Sequence, residues 1–335
     1  MCSEIKMACE YDSDMSYNKF DLLIKIVNPY EYIFSQVPST KFSVSKLKQK
    51  TNLFYDLLEI STTLNIFDMY KLDILETLHI TSNNNDTVQC LEMVRENYND
   101  KITCYDDGIS KRIVKSIGDK QFHFLFLETR HNPLNDLNNY IISFVEIVMV
   151  ILRNQINRGC CLIKISGIFH KPIVDILYLL SSLYEKIYIL KPNTSNITTF
   201  EKYIFCKNFI PKKEENVNLK KNYFILLLFL KQIKQSQQEV FFEDICVESI
   251  IDCDIPYNFI MKLNDMNISI GQQQLEALDL IINILKKKNK EEKIETIQKS
   301  NIQKSILWCE KYKIPCNKFS EKTNIFLHGQ KSQDE

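Results

Sequence analysis

Residues 158–209 read RGCCLIKISGIFHKPIVDILYLLSSLYEKIYILKPNTSNITTFEKYIFCKNF. Cys160–Ile165 (CCLIKI) is a nearly continuous apolar run of strand length, as expected for a strand covered on both faces. Pro172–Tyr184 follows as a helix, with proline at its start, where the missing N–H costs nothing. Glu185–Leu190 is a second strand, Lys191–Thr199 (KPNTSNITT) a polar loop, and Glu201–Cys206 (EKYIFC) a third strand. That loop is too short for a crossover, so the last two strands are predicted to be antiparallel.

The same alternation extends towards the N-terminus. Phe122–Leu127 (FHFLFL) is a buried strand, and Leu137–Asn154 is a long apolar helix that Asn157-Arg158-Gly159 would cap. Further upstream come a strand at Asp73–Ile80, a turn at Thr81–Asp86 (TSNNND) and a helix at Val88–Asn97 capped by Asp86 or Thr87. A strand at Lys101–Tyr105 and a brief helix at Ile109–Ile117 complete the run. Lys46–Leu64 has a helical apolar pattern. Strand–helix alternation from about residue 73 to 209 predicts an α/β fold: a doubly wound, Rossmann-like sheet, shortened, with a last antiparallel strand. After Pro211 the chain reads as a helical C-terminal appendage, with helices at Asn222–Lys234, Leu275–Lys288 and Asn301–Tyr312. The expected division is a partly disordered segment at 1–40, the sheet domain at 41–210, the appendage at 211–325 and a tail at 326–335.

In such a sheet the ligand lies beyond the carboxyl ends of the strands, at the switch point of strand order. Those ends deliver Thr81–Asp86, Asp106-Asp107, Glu128–His131 and Lys164–Gly167, and Glu201 opens the last strand at the same edge. Polar side chains converge there, and that crevice is the default binding site.

Gly159, Lys164, Lys191-Pro192, Ser195 and Thr199-Phe200-Glu201-Lys202-Tyr203 follow one another as a small-residue turn, a strand ending in lysine, KP-x-x-S and S/T-x-E-x-Y. In this order and spacing the stretch resembles the C-terminal part of the FtsJ-like ribose 2′-O-methyltransferase family. It is most similar to the mRNA cap-methylating members of large DNA viruses and eukaryotes. The resemblance covers about 140 residues and is strong over the last fifty. It implies the Rossmann-like methyltransferase fold, S-adenosylmethionine as cofactor and a Lys-Asp-Lys-Glu tetrad. Lys164 matches the second lysine and Glu201 the glutamate. The aspartate should follow Leu127, where either Glu128 substitutes with a longer arm or Thr129 stands and the acid is gone. No residue matches the first lysine; Lys48 and Lys50 lie a turn or so before the expected place. The family's glycine-rich cofactor turn is replaced by Thr81–Asp86, which has no glycine. Asn83 and Asn85 are the residues there that could meet a cofactor, with Asp106 on the adenine side. One strand–helix unit of the family pattern is missing.

Composition narrows the choices. Lys plus Arg and Asp plus Glu both number 42, which argues against bulk electrostatic coating of nucleic acid but leaves room for a local basic groove. The 11 cysteines are odd in number and contain no CxxC pair, as expected in a reducing compartment. His123, His131 and His170 are scattered, so no metal site is expected. The longest apolar stretches, Tyr140–Leu152 and Tyr223–Leu230, read as too short to span a bilayer. An intracellular, cytoplasmic setting is expected, including a viral factory or virion. Two functions compete. One is a methyltransferase-fold subunit with a degenerate cofactor site, binding capped mRNA or stimulating a capping or transcription subunit. The other is an active cap ribose 2′-O-methyltransferase using Lys164, Glu201 and Glu128. The missing glycines, the shortened sheet and the uncertain acid favour the first.

Overall fold

The computed structural model describes residues 17–47, 49, 51–70, 74–96, 98–106, 109, 111–210, 247–251, 254–286 and 290–317. The chain divides into two compact units: residues 64–191 with 200–268, and residues 1–63 with 192–199 and 269–335. Contiguous segments were expected from the sequence, whereas the units join distant stretches through packing that local patterns do not reveal.

The chain begins with helix α1 (Tyr17–Val27), a 3-10 turn at Glu31–Ile33 and helix α2 (Asn52–Thr63). Leu23, Ile26 and Val27 bury themselves against Ala277, Ile281 and Ile284. Each such side chain gains roughly 1.5–3 kcal/mol on full burial.

The sheet unit runs β1 (Glu76–Ile80), α3 (Asn84–Val94), β2 (Lys101–Tyr105), α4 (Lys111–Ile117), β3 (Phe122–Glu128), α5 (Leu137–Asn154), β4 (Gln155–Ile165), α6 (Lys171–Leu183), β5 (Tyr184–Leu190) and β6 (Lys202–Phe209). Strand order is β2-β1-β3-β4-β6-β5. The first four strands are parallel, and β6 runs antiparallel to both β4 and β5. The antiparallel turn after Leu190 is thus as expected, and β6 slots between β4 and β5. The architecture is an α/β, Rossmann-like six-stranded sheet with the antiparallel strand β6. Leu125, Leu127, Cys161, Ile163 and Ile204 pack against Ile141, Phe144, Val145 and Val148 of α5 and Ile173, Ile176 and Leu180 of α6.

Two local expectations fail for physical reasons. Helix α3 starts at Asn84, not at Val88, and the Thr87 hydroxyl donates back to the Asn84 carbonyl at 2.9 Å instead of capping. Gly159 is not a helix cap: α5 ends at Asn154 and β4 begins at once. Arg158 takes the left-handed angle (φ 61°), at an irregularity where the β3–β4 register shifts between Phe122 and Phe124. Gly159 is needed for close approach, since a Cβ there would lie 2.0 Å from Gln155 Nε2 and 2.9 Å from the His123 carbonyl oxygen.

Helices α7 (Tyr257–Lys286) and α8 (Lys290–Lys311) form the helical C-terminal region and are longer than the sequence suggested. The expected helix at 222–234 and the tail at 326–335 lie outside the described residues. Helix α5 is, by length and composition, long enough and apolar enough to cross a membrane, contrary to the estimate from Tyr140–Leu152 alone. Its apolar face is occupied by the sheet core.

Candidate functional site

Strand order reverses between β1 and β3, and the candidate site lies at the carboxyl ends of these strands and of β4. Glu128 ends β3 and is in register with Lys164 of β4, so both side chains leave the same face. Lys164 Nζ lies 3.0 Å from Glu128 Oε1 and 3.5 Å from Glu201 Oε1. Glu201 precedes β6, two residues before Tyr203, the register partner of Lys164, and period two returns it to the lysine's face. Lys164, Glu128 and Glu201 thus meet in one cluster.

Thr129 stands differently from Glu128. Its N–H and its hydroxyl both donate to the Lys164 carbonyl oxygen, at 3.0 and 3.2 Å. It prolongs the β3–β4 pairing, and the acid facing Lys164 is Glu128.

The second oxygen of Glu128 reaches across to β1. Oε2 accepts from the Thr81 hydroxyl at 2.5 Å and from the Ser82 hydroxyl at 3.5 Å. Burial works to raise the Glu128 carboxyl. The Lys164 ammonium and hydrogen bonds from Thr81, Lys164 and the Ser82 N–H outweigh it and hold the group below its ordinary 4.5.

Of the residues expected to face a cofactor, Asn83 and Asn85 are exposed. The Asn83 N–H donates to Thr81 Oγ1 at 3.3 Å, and Asn85 Oδ1 accepts from Gln89 at 3.2 Å. Asp106 does join the loop, but through Asn84, whose buried amide donates to Asp106 Oδ1 at 2.8 Å. Behind the loop, buried His79 sits 2.8 Å from the Thr87 hydroxyl, and burial lowers its pKa to about 3. Among the described residues no group of His, Cys, Asp or Glu could hold a metal ion.

Tyr140 was not singled out in the sequence. Its hydroxyl accepts from the Ser166 and Gly167 N–H groups at 3.2 Å each and donates to the Gly167 carbonyl oxygen at 2.8 Å. It fixes the turn leaving β4 just past Lys164. Burial first, against those hydrogen bonds, pushes the phenol up to about 12. An isolated tyrosine in an otherwise apolar helix face was the available signal. Thr81 had one too, since period two from Thr77 and His79 points it to the Phe124–Phe126–Glu128 face.

In the other unit, the motif loop 192–199 is bound to α2. Asp56, wholly buried, accepts from the Thr194 hydroxyl at 2.5 Å and the Ser195 hydroxyl at 2.8 Å. Glu59 accepts from the Asn193 side chain at 2.6 Å and from Trp308 Nε1 at 3.0 Å. The motif serine therefore anchors its loop. Lys48 and Lys50 lie outside the described residues.

The chain is 26% identical over 125 residues to the cap-specific mRNA (nucleoside-2′-O-)-methyltransferase 1 of Leishmania braziliensis. This likeness supports the resemblance to the FtsJ-like 2′-O-methyltransferases. The match covers 37% of this chain and 29% of the relative, so less than a third of that protein's length is spanned. No family model matches. Among solved structures, a ribosomal RNA methyltransferase of Plasmodium falciparum aligns with a TM-score of 0.37 at 15% identity, over 48% of this chain and 98% of that one. A Haemonchus contortus phosphoethanolamine N-methyltransferase 2 in complex with S-adenosyl-L-methionine gives 0.26 at 12% identity, over 47% and 39% of the two chains.

Proposed function

We propose that this FtsJ-like protein works in RNA cap modification without catalysing methyl transfer, as a binding or stimulatory subunit that engages capped mRNA or a capping or transcription subunit. The observation that carries this reading is the bridge from Thr81 and Ser82 to Glu128. It spans the switch-point crevice, where the family fold needs bare backbone beside the cofactor's methionine part. Asn84 to Asp106 closes the neighbouring gap between the β1 and β2 ends. With no glycine from Thr81 to Asp86, side chains stand along the whole turn. These residues do not fit S-adenosylmethionine.

One observation favours an active ribose 2′-O-methyltransferase instead. Lys164 lies between Glu128 and Glu201, a placement that could orient a ribose hydroxyl. Methyl transfer separates the two readings. Capped RNA is incubated with labelled S-adenosylmethionine and the full chain, and with a Lys164→Ala variant as background. The non-catalytic reading expects equal counts from both. Incorporation by the wild type that Lys164→Ala abolishes contradicts it.

A further inference from the structure

From Tyr32 to Tyr55 the chain has no Asp or Glu and carries four lysines, in a protein whose formal charge is zero. Described residues of this stretch, with Asn317, line an open cleft of about 590 Å³, within the 300–1,000 Å³ or so usual for ligand sites. Lys41 and Lys46, both exposed, line it with half-buried Phe34 and Phe42 and the amides of Gln36 and Asn317.

The walls are fixed. The Thr40 hydroxyl donates to the Val37 and Phe42 carbonyl oxygens at 2.8 and 3.0 Å, and Gln36 Nε2 donates to the Thr40 carbonyl oxygen. Asn317 clasps the opposite wall, its N–H to the Val44 carbonyl oxygen at 2.9 Å and its amide to that of Ser43 at 2.8 Å. The Lys46 N–H donates to the Pro315 carbonyl oxygen at 2.8 Å. Phe34 is held by stacking on Tyr55, with ring centroids 5.9 Å apart.

We infer that this cleft is a binding site for single-stranded RNA. Lys41 and Lys46 meet backbone phosphates, and Phe34 and Phe42 offer faces on which unpaired bases stack. Lysines interleaved with aromatics, beside amides that can both donate and accept, match a single-stranded polynucleotide. An acidic peptide would use the lysines and leave the rings idle. The inference deepens the proposed function and rests on it for the choice of RNA as the polyanion.

The test is fluorescence anisotropy with a labelled, uncapped single-stranded oligoribonucleotide and the full chain, across a salt series. Wild type should bind, and Lys41→Glu with Lys46→Glu should weaken binding at least tenfold. The slope of log affinity against log salt should flatten by about 1.4, at about 0.7 for each phosphate no longer neutralised. Phe42→Leu should weaken binding roughly fivefold or more and leave the slope unchanged, as expected when a base loses its stacking platform. Wild-type affinity in the double variant overturns the site. So does equal binding of poly-glutamate, which would make the cleft a plain anion surface. Unchanged far-ultraviolet dichroism confirms that the variants are folded. Failure here is separable from failure of the non-catalytic reading, which is decided by methyl transfer alone.

Discussion

Glu128 engages Lys164 through one oxygen and Thr81 through the other, so its replacement is felt on both sides of the crevice. Glu128→Ala should cost about 1–3 kcal/mol in urea unfolding at pH 7, because Lys164 and Thr81 lose a partner in a part-buried place. Its carboxyl is depressed in the folded chain. The stabilisation is therefore complete above the ordinary 4.5 and is lost as pH falls through the lower folded value. Glu128→Gln should flatten that acid limb, and an unchanged limb would contradict the ion pair. Lys202 acts with the same sign in a more alkaline window, but through burial and not through an ion pair. It is buried, its ammonium lies 5.1 Å from the centre of the Phe169 ring, and burial lowers its pKa to about 8. The unfolded chain then binds more protons, so stability should rise between pH 8 and the ordinary 10.5. Lys202→Met should remove that rise in a thermal-melt series. Lys164 and Glu201 were legible as motif residues. Period two along β6 sends Lys202 to the face away from Lys164.

Strands were the legible elements, because a strand buried on both faces is written as a nearly continuous apolar run, as in Phe122–Leu127. Caps were less legible. The Asn-rich turn gives several equivalent starts for α3, and the contacts of Asn84 with Asp106 and of Thr87 with His79 choose among them. Gly159 shows the same limit, since its meaning depends on the irregular backbone after Gln155 and on His123, which only the folded sheet brings near. Gly159→Ala should cost about 1–3 kcal/mol by overpacking, read as a lower urea midpoint. The KP-x-x-S loop was visible as a motif, but its acceptor was not. Asp56→Ala would strand the Thr194 and Ser195 hydroxyls in a buried place and should cost about 2–4 kcal/mol. A midpoint equal to the wild type would show that the loop needs no such anchor.

At the scale of the molecule, the N-terminal helix owes its burial to residues far along the chain. Leu23, Ile26 and Val27 meet Ala277, Ile281 and Ile284, and Asn301 donates to the Ile26 carbonyl oxygen at 2.8 Å. A chain truncated after Ile210, where the sequence suggested a domain end, should expose these apolar faces and elute as aggregate in size-exclusion chromatography; a stable monomer would contradict the discontinuous unit. The lysine–glutamate cluster resembles a methyltransferase site, while Thr81 in the turn after β1 is tied to Glu128. What that tie means for function turns on the cofactor. Calorimetric titration of the full chain with S-adenosylmethionine tests it directly: the account predicts no binding heat, and micromolar binding would contradict it.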